Sequence, residues 1–144
     1  MATKSTQTIL MVDDNQDLLD IFADLLTAKG NYTVVTATNG ALALERCMET
    51  QPDCVIIDVK MPELDGYQLV RALRGDPATE HIPLIILSAM AQDRDKLIGT
   101  LSGVDRYLVK PVTPLELIAI IQEVLATDAA ERLRRMQHLA EEEI

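Results

Sequence analysis

One pattern recurs five times along the chain: a short apolar segment rich in β-branched residues is followed by a segment with the period of an amphipathic helix. Each pair takes roughly 20 to 25 residues, as in successive βα units. The predicted strands cover residues 8–12, 32–37, 54–57, 84–87 and 106–109. The predicted helices cover residues 16–28, 40–49, 64–74 and 92–101, and Thr113 caps a fifth helix with Pro114 at its first position. Gly30 and Gly75 are the predicted stops of the first and third helices.

The first, third and fourth predicted strands are continuous apolar runs, without the alternation of a strand that has one face in water. Such strands are typical of a parallel sheet covered by helices on both faces. Five alternating βα units favour an α/β fold with a doubly wound, five-stranded parallel sheet in the flavodoxin-like order 2-1-3-4-5. In this architecture ligands bind beyond the carboxyl ends of the strands, near the switch in strand order.

The net charge of the chain argues against two classes of partner, nucleic acids and membranes. Its 144 residues include 23 Asp and Glu against 13 Lys and Arg, which gives a net charge of −10 and a pI near 4.5. An acidic surface repels phosphate backbones and anionic lipids, so we expect neither nucleic acid nor a membrane to bind this chain. Aromatic residues make up 3% and Trp is absent, which argues against a base-stacking surface. The longest hydrophobic run has five residues, against the ~18 needed to span a bilayer.

The N-terminal residues and the cysteines together favour a cytoplasmic location. Residues 1–7 lack the apolar core of a secretory signal. Cys47 and Cys54 have neither CxxC nor zinc-site spacing, and both lie among apolar residues. We therefore expect two buried free thiols in a reducing compartment.

The composition divides the chain into three parts. A length of 144 residues, 48% of them hydrophobic, fits one domain, which we predict over residues 7–126 after a flexible N-terminus at residues 1–6. Residues 127–144 contain neither Gly nor Pro and form a predicted helical extension. The apolar spacing from Ala126 through Leu133 to Ala140 is compatible with two interpretations. One is a solvated tail; the other is a helical connector that pairs with a second copy or leads to an absent output domain.

Polar side chains end the predicted strands at one end of the sheet. Asp13 and Asp14 follow the first strand, Asp58 the third, Ser88 the fourth and Lys110 the fifth. Because strands one and three are neighbours in the expected order, the three carboxylates should converge. Close carboxylates repel, and a hard cation that prefers oxygen ligands, here Mg²⁺, relieves the repulsion. Without metal, at least one of the three acids should have a raised pKa.

Each of these residues also has an ordinary interpretation. The Asp13-Asp14-Asn15 run can cap the next helix, an acid after the third strand can begin a turn, and Lys110 can be a surface charge. Their occurrence together at one end of the sheet favours a functional site. Pro111 restricts the backbone of Lys110 and favours an ammonium directed toward the acidic cluster; the bond between them is compatible with either cis or trans.

Four segments carry a resemblance to a known family: Ile-Leu-Met-Val-Asp-Asp at 9–14, Val-Ile-Ile-Asp-Val-Lys-Met-Pro-Glu-Leu-Asp-Gly at 55–66, Leu-Ser-Ala at 87–89, and Gly-Val-Asp-Arg-Tyr-Leu-Val-Lys-Pro at 103–111. Together they resemble the receiver domain of two-component response regulators, over about residues 7–126. The resemblance implies a phosphorylation-dependent signalling switch of a phosphorelay. Such a domain catalyses only its own phosphorylation and dephosphorylation and is otherwise not an enzyme.

The resemblance also implies roles for the residues at the strand ends. Asp58 would be the phosphoacceptor and one of the metal-site residues. Asp14 would bind Mg²⁺ directly, Asp13 would bind it through water, and Lys60 would bind it through its backbone carbonyl. Lys110 would neutralise the charge of the phosphoryl group.

A conformational switch is implied as well. The hydroxyl of Ser88 and the backbone N–H of Ala89 would bind the phosphoryl oxygens, and Tyr107 would turn inward when their loop moves. The face formed by the fourth predicted helix, the fifth strand and the fifth helix would then change. Tyr107 is equally compatible with an ordinary half-buried strand residue. By the same resemblance, the positions of Lys60 and Met90 would tune access of water to the acyl phosphate, and Val112 would stand where many relatives carry Phe.

The implied partners are a sensor histidine kinase or a phosphotransfer protein, and a second copy that binds through the changing face or the C-terminal helix. Two other functions compete with the switch. Phosphatases of the haloacid-dehalogenase type also combine Asp, Mg²⁺, Ser or Thr and Lys, but their nucleophile lies in a DxD motif after the first strand, where this chain has Asp13-Asp14-Asn15. A degenerate receiver that serves only as a binding scaffold is disfavoured because every chemical position is filled.

Overall fold

The structure of the protein, a computed structural model, describes residues 6–59, 66–88 and 103–127 together with Arg134. Its strands are β1 (Thr8–Val12), β2 (Thr33–Ala37), β3 (Cys54–Asp58), β4 (Leu84–Ser88) and β5 (Arg106–Val109). Its helices are α1 (Gln16–Gly30), α2 (Gly40–Thr50), α3 (Gly66–Arg74) and the C-terminal helix (Pro114–Ala126). None of the helices in those ranges is long and apolar enough to cross a lipid bilayer. The predicted helix at 92–101 and nearly all of the predicted extension at 127–144 lie outside the described residues.

All five strands are parallel and lie in the order β2-β1-β3-β4-β5, which confirms the predicted doubly wound topology. The register sets Val12 of β1 beside Ile57 of β3, and Ser88 of β4 beside Val109 of β5. The residues that come next along these strands therefore meet at the carboxyl end of the sheet. The opposite end, where the strands begin, is its amino end.

Two apolar layers hold the helices against the sheet, because successive strand residues point to opposite faces. Leu10 and Ile57 pack in the layer that includes α2 and α3, whereas Ile9 and Ile56 pack in the layer that includes α1 and the C-terminal helix. Every residue of β3 and β4 is buried, as their continuous apolar runs predict. β5, at the margin of the sheet, is only partly buried.

Side-chain caps begin three of the described helices at the carboxyl end of the sheet. The side chains of Asn15 and Asn39 accept hydrogen bonds from backbone N–H groups in the first turns of α1 and α2, at 3.1 and 2.8 Å. Thr113 caps the C-terminal helix with Pro114 in its first turn, as predicted, and Glu116 completes a capping box with Thr113. These caps fix where each helix leaves the end of the sheet that carries the polar residues.

The predicted stop of α1 at Gly30 is wrong by one residue. Gly30 is the last helical residue, and Asn31 ends the helix in the left-handed conformation, with φ of 58°. Gly30 instead leaves space for the Tyr32 ring, because a Cβ at position 30 would lie 2.7 Å from ring carbons of Tyr32. β3 and β4 each extend one residue further than predicted, since Asp58 and Ser88 continue the strand pairing with their backbones.

The two cysteines are free and buried, as predicted for their side chains. Cys47 lies in the layer of α2 and α3, and Cys54 lies in the layer of α1 and the C-terminal helix. Burial raises the pKa of the Cys47 thiol to about 11, so this thiol stays protonated at neutral pH. Both side chains act as small apolar core residues.

Candidate functional site

The predicted polar residues meet at the carboxyl end of the sheet, where β1 and β3 lie side by side. Asp13 follows β1 directly and is buried, and Asp58 is the last residue of β3 and is 6% exposed. Asp14 lies next to Asp13 and is exposed. Lys110 follows β5, and its peptide bond to Pro111 is cis. The structure thus brings the three acids and the lysine to one end of the sheet.

The Asp58 carboxylate forms an ion pair with Lys110, whose Nζ donates to Asp58 Oδ2 over 2.7 Å. The side chain of Asp58 is 9% exposed and that of Lys110 is 32% exposed, so the pair is partly desolvated and attracts more strongly than it would in water. The backbone of Lys110 is held as well, because its N–H donates to the Ser88 carbonyl at 2.7 Å. Both parts of Lys110 are therefore fixed relative to the ends of β3 and β4.

The pKa of Asp13 is raised from 3.8 to about 6, first of all by burial of its carboxyl group. The backbone N–H of Asn15 donates to Asp13 Oδ1 at 3.0 Å and lowers this pKa, as does the charge of Lys110. The charge of Asp58 and a side-chain hydrogen bond with Asp14 raise it. The result agrees with the expectation that at least one of the three acids resists ionisation without a metal.

Ser88 and Tyr107, the predicted switch residues, lie on adjacent strands. Ser88 is fully buried at the end of β4, opposite Val109 in the register. Tyr107 lies opposite Ile86, is half-buried and packs against the apolar layer of α2 and α3. This position of Tyr107 is compatible with both interpretations, a switch residue and an ordinary strand residue.

Lys60 and Ala89, which are also predicted site residues, lie outside the described residues. The described chain resumes at Gly66, whose N–H donates to the Val59 carbonyl at 3.3 Å. A Cβ on Gly66 would lie 2.3 Å from the Cα of Val59, so only glycine lets α3 begin so close to the residue that follows Asp58. Gly66 is absent from the predicted site residues, although a glycine in the first turn of the helix predicted over residues 64–74 is itself a signal of close backbone approach.

A cavity of about 400 Å³ opens beside the ion pair. Its walls are mainly apolar and come from β1, α1, β4 and the segment after β5: Met11, Leu18, Leu19, Phe22, Leu87, Pro111 and Val112, with Asp13 and Lys110 as the charged lining residues. Periodicity does not predict this cavity, because the α1 residues that line it belong to the same helical face as the core residues of that helix. The short Val112 side chain is part of the wall.

The donor atoms at the carboxyl end suit a hard cation, since Asp13, Asp14 and Asp58 all offer carboxylate oxygens. Within residues 6–59, 66–88 and 103–127, however, no three acidic, His or Cys side chains are arranged as a metal site. The Asp58 carboxylate meets the Lys110 ammonium instead. The residues fit Mg²⁺ by charge and ligand type. The observation that favours such an ion is that Asp13 and Asp58 are both buried at adjacent strand ends, where the charge of Asp58 adds to the effect of burial in raising the pKa of Asp13.

The model of the response regulator receiver domain family matches residues 9–122. The chain belongs to this family. This receiver domain is 38% identical, over 85% of its length, to an uncharacterised 14.6 kDa protein of Leptolyngbya boryana, of which it covers 93%. It is 39% identical, over 84% of its length, to the transcriptional regulatory protein PrrA of Mycobacterium leprae. It spans about half of PrrA, 51% of that protein being covered.

Solved structures of receiver domains have the same fold. The chemotaxis protein CheY4 of Vibrio cholerae is similar with a TM-score of 0.76 and 30% identity, over 83% of this chain and 99% of that one. The receiver domain of the sensor histidine kinase PA1611 from Pseudomonas aeruginosa has a TM-score of 0.76 and 29% identity, over 85% of this chain and all of that one. A magnesium ion is coordinated in the active-site cleft of the PA1611 domain. As a response regulator receiver domain, the chain is a phosphorylation-dependent signalling switch.

Proposed function

We propose that this receiver domain accepts a phosphoryl group on Asp58 and thereby changes the surface around β5. One observation carries the assignment: the Asp58 carboxylate is buried and lies 2.7 Å from Lys110 Nζ, next to the second buried acid, Asp13. A shielded carboxylate beside a cation suits a nucleophile whose product carries additional negative charge.

In the proposed reaction, a carboxylate oxygen of Asp58 attacks the phosphorus of an acyl phosphate or a phosphohistidine. A P–O bond to Asp58 forms while the bond to the donor breaks, and the donor leaves with the electron pair. No general base is needed, because the attacking group is a carboxylate and not a hydroxyl. Lys110 is positioned to stabilise the negative charge on the transferring group, since its Nζ already lies against Asp58 Oδ2.

We assign Asp13, Asp14 and Asp58 to a Mg²⁺ site, with the backbone carbonyl of Lys60 as a further ligand. When bound, Mg²⁺ would neutralise phosphoryl oxygens and help to orient the donor. The magnesium ion in the PA1611 receiver domain supports the same cofactor here. The chain's own contribution is to hold its acids at the adjacent ends of β1 and β3, with Asp13 and Asp58 largely shielded from water.

Ser88 and Ala89 are assigned to bind the phosphoryl oxygens of the product, and Tyr107 to respond on β5. A movement of Ser88 would reach the residue after β5 directly, because the Ser88 carbonyl accepts the N–H of Lys110. The proposed output is a change in the face that includes β5 and the C-terminal helix.

The proposed phosphoryl donor in the cell is a phosphohistidine on a sensor histidine kinase or a phosphotransfer protein. Family membership supports this class of partner. We assign residues 7–126 to the receiver unit and residues 127–144 to a helical extension. The unit acts only on its own Asp58, by gaining and losing the phosphoryl group.

Incubation of the purified chain with acetyl phosphate and Mg²⁺, followed by intact-mass spectrometry, tests the phosphoacceptor. We expect one added phosphoryl group on the wild type and none on Asp58→Asn. Asp53→Asn is the matched control and should be phosphorylated like the wild type, because Asp53 precedes the same strand at the other end of the sheet. An adduct that persists in Asp58→Asn, or rapid multiple turnover of phosphate esters as in a phosphatase, would overturn the assignment.

Chelation tests the metal site separately. We expect millimolar Mg²⁺ to raise Tm above its value in chelator, because an ion that binds only the folded state stabilises it. Asp53→Asn should keep this shift, whereas Asp58→Asn should reduce it. The same Tm for the wild type with Mg²⁺ and with chelator would remove the basis for the site.

A further inference from the structure

We propose that the Arg74–Asp105 ion pair, at the amino end of the sheet, positions Lys110 at the carboxyl end and so sets the rate of phosphoryl transfer. The inference rests on the proposed function of Asp58 and Lys110. Neither Arg74 nor Asp105 contacts the reacting atoms, so both are positioning residues. They act through the placement of β5.

The Arg74 side chain joins three separate stretches of the chain. Its guanidinium donates to the backbone carbonyls of Gly103 at 2.7 Å, Ile82 at 2.7 Å and Glu80 at 2.8 Å. It also donates to the Asp105 carboxylate at 3.2 Å. These contacts tie the end of α3 to the segments that enter β4 and β5. The planar, multiply donating guanidinium is suited to such a junction, and a lysine ammonium is not.

Asp105 binds the start of β5 to the start of β4. The oxygen that faces Arg74, Oδ1, also accepts the backbone N–H of Leu84 at 2.8 Å. The N–H of Asp105 donates to the Leu84 carbonyl at 2.9 Å. The Asp105 side chain is 4% exposed, so its charge needs the compensation that Arg74 supplies. Backbone and side chain together lock these two residues in one register.

The segment that leads into β5 lies close to the Arg74 side chain. Gly103 has φ of 155°, a conformation that favours glycine. A Cβ at Gly103 would lie 3.3 Å from Cγ and Nε of Arg74. The glycine therefore lets the backbone that enters β5 lie close to the Arg74 side chain.

β5 is the strand that needs such an anchor. It has four residues, pairs with β4 at the margin of the sheet and is partly exposed. A shift of one residue would turn Lys110 to the opposite face of the sheet, because side chains alternate along a strand. Asp105 fixes the start of this stretch, and the hydrogen bond from Lys110 to the Ser88 carbonyl fixes its end. The reach of Lys110 to Asp58 depends on both anchors.

The test measures the rate of phosphorylation by acetyl phosphate, together with the Kd for Mg²⁺. In Arg74→Met we expect the rate to fall about tenfold, because a displaced cation stabilises the transferring group poorly. The Kd for Mg²⁺ should not rise, because the assigned metal residues are not on β5 and a displaced Lys110 only removes a positive charge from Asp58. Arg46→Met is the matched control, since Arg46 contacts Glu49 at an exposed surface, and its rate should equal that of the wild type.

A double-mutant cycle with Lys110→Met separates positioning from loss of stability. If Arg74 acts through Lys110, Arg74→Met should have no further effect on the rate in the Lys110→Met background. An equal fall in both backgrounds would overturn the proposal. All rates are measured well below the Tm of each variant, on protein shown to be folded by circular dichroism.

Two milder variants keep the inference testable if Arg74→Met does not fold. Asp105→Asn keeps an acceptor for Leu84 but loses the charge, and Arg74→Lys keeps the charge but loses the fork; both should give intermediate rates. Wild-type rates in both variants would contradict the proposal. Failure of the proposed function would look different, because the wild type itself would then gain no phosphoryl group on Asp58.

Discussion

Buried carboxylates are compensated to different degrees at the two ends of the sheet. At the amino end, the buried Asp105 is matched by Arg74, whose other donors reach backbone carbonyls. At the carboxyl end, Asp13 and Asp58 are both buried, and Lys110 pairs with Asp58 while the pKa of Asp13 is raised. Across the described residues, no buried side-chain nitrogen or oxygen lacks a hydrogen-bond partner. The carboxyl end therefore has satisfied hydrogen bonds but more buried negative charge than Lys110 alone compensates. This is the end assigned to Mg²⁺ and phosphoryl binding.

The largest loss of stability is expected at the amino end of the sheet. Asp105→Ala should lower the free energy of unfolding by about 3 kcal/mol, because Arg74 and the Leu84 N–H lose their shared acceptor. Urea denaturation measures the loss. Asp105→Asn, which retains an acceptor, should lose less. A loss in Asp105→Ala no greater than that of an ordinary surface substitution would mean that this end is not held by its ion pair.

A smaller loss is expected where α3 begins close to the residue that follows Asp58. Gly66→Ala should cost about 2 kcal/mol, because the new methyl group would overlap the backbone of Val59. Gly75→Ala, just beyond the other end of α3, is the control: a Cβ there lies 3.2 Å from the Arg71 carbonyl, and the change should be smaller. Thermal or urea unfolding compares the two. Equal losses would contradict the special role given to the Gly66–Val59 approach.

A substitution of Asp13 should increase the stability of the protein. In chelator at pH 7, Asp13→Asn should raise the free energy of unfolding by about 1–2 kcal/mol, because it removes a buried charge that Asp58 repels. The amide can still accept the hydrogen bond from Asn15. Urea denaturation with and without Mg²⁺ checks the result, and the gain should shrink when the metal is added. A destabilised variant in chelator would contradict the proposed excess of negative charge.

The effect of Asp13→Asn should also depend on pH. The folded-state pKa of Asp13, about 6, lies above the ordinary value of 3.8, so the folded protein binds this proton more tightly than the unfolded chain does. The cost of ionised Asp13 is fully present above pH 6 and disappears as the pH falls below about 4. The stabilities of the variant and the wild type should converge over that range. A difference that is independent of pH would point to packing as its cause.

The smallest change in stability is expected at an exposed ion pair, which serves as the reference for the buried pairs at both ends of the sheet. Arg46 and Glu49 form an ion pair at 3.4 Å with side chains 40% and 54% exposed, so Glu49→Ala should change stability by at most about 0.5 kcal/mol. Salt should reduce even that difference. A much larger change would mean that exposed pairs in this protein cannot serve as a reference for the Arg74–Asp105 pair.

Local sequence patterns predict most of the described strands and helices, because apolar runs and capping residues determine where these elements form. The buried strands coincide with continuous apolar runs, and Thr113 with Pro114 starts the C-terminal helix where the sequence places it. The additional strand residues Asp58 and Ser88 escape this reasoning, because strand pairing uses the backbone of any residue type. The convergence of the polar residues was predictable for the same reason as the topology: parallel strands finish at one end of the sheet.

Long-range contacts account for what the sequence does not predict. Arg74 and Asp105 are separated by 31 residues, and no periodicity connects them. The close approach of Gly66 to Val59 also depends on the folded chain. The strand ends indicate where the acids gather, but the role of each acid comes from the family resemblance. The roles of Lys60 and Ala89 remain predictions, since both lie outside the described residues.

The N-terminal caps at the carboxyl end have an electrical consequence. α1, α2 and the C-terminal helix all begin there, so the positive ends of three helix dipoles point toward the same region. The N-terminus of each helix acts as roughly half a positive charge. This potential arises from peptide groups, so neither a change of pH nor acetylation of Lys110 would abolish it. A doubly negative phosphoaspartate would thus be supported partly by a field that belongs to the backbone itself.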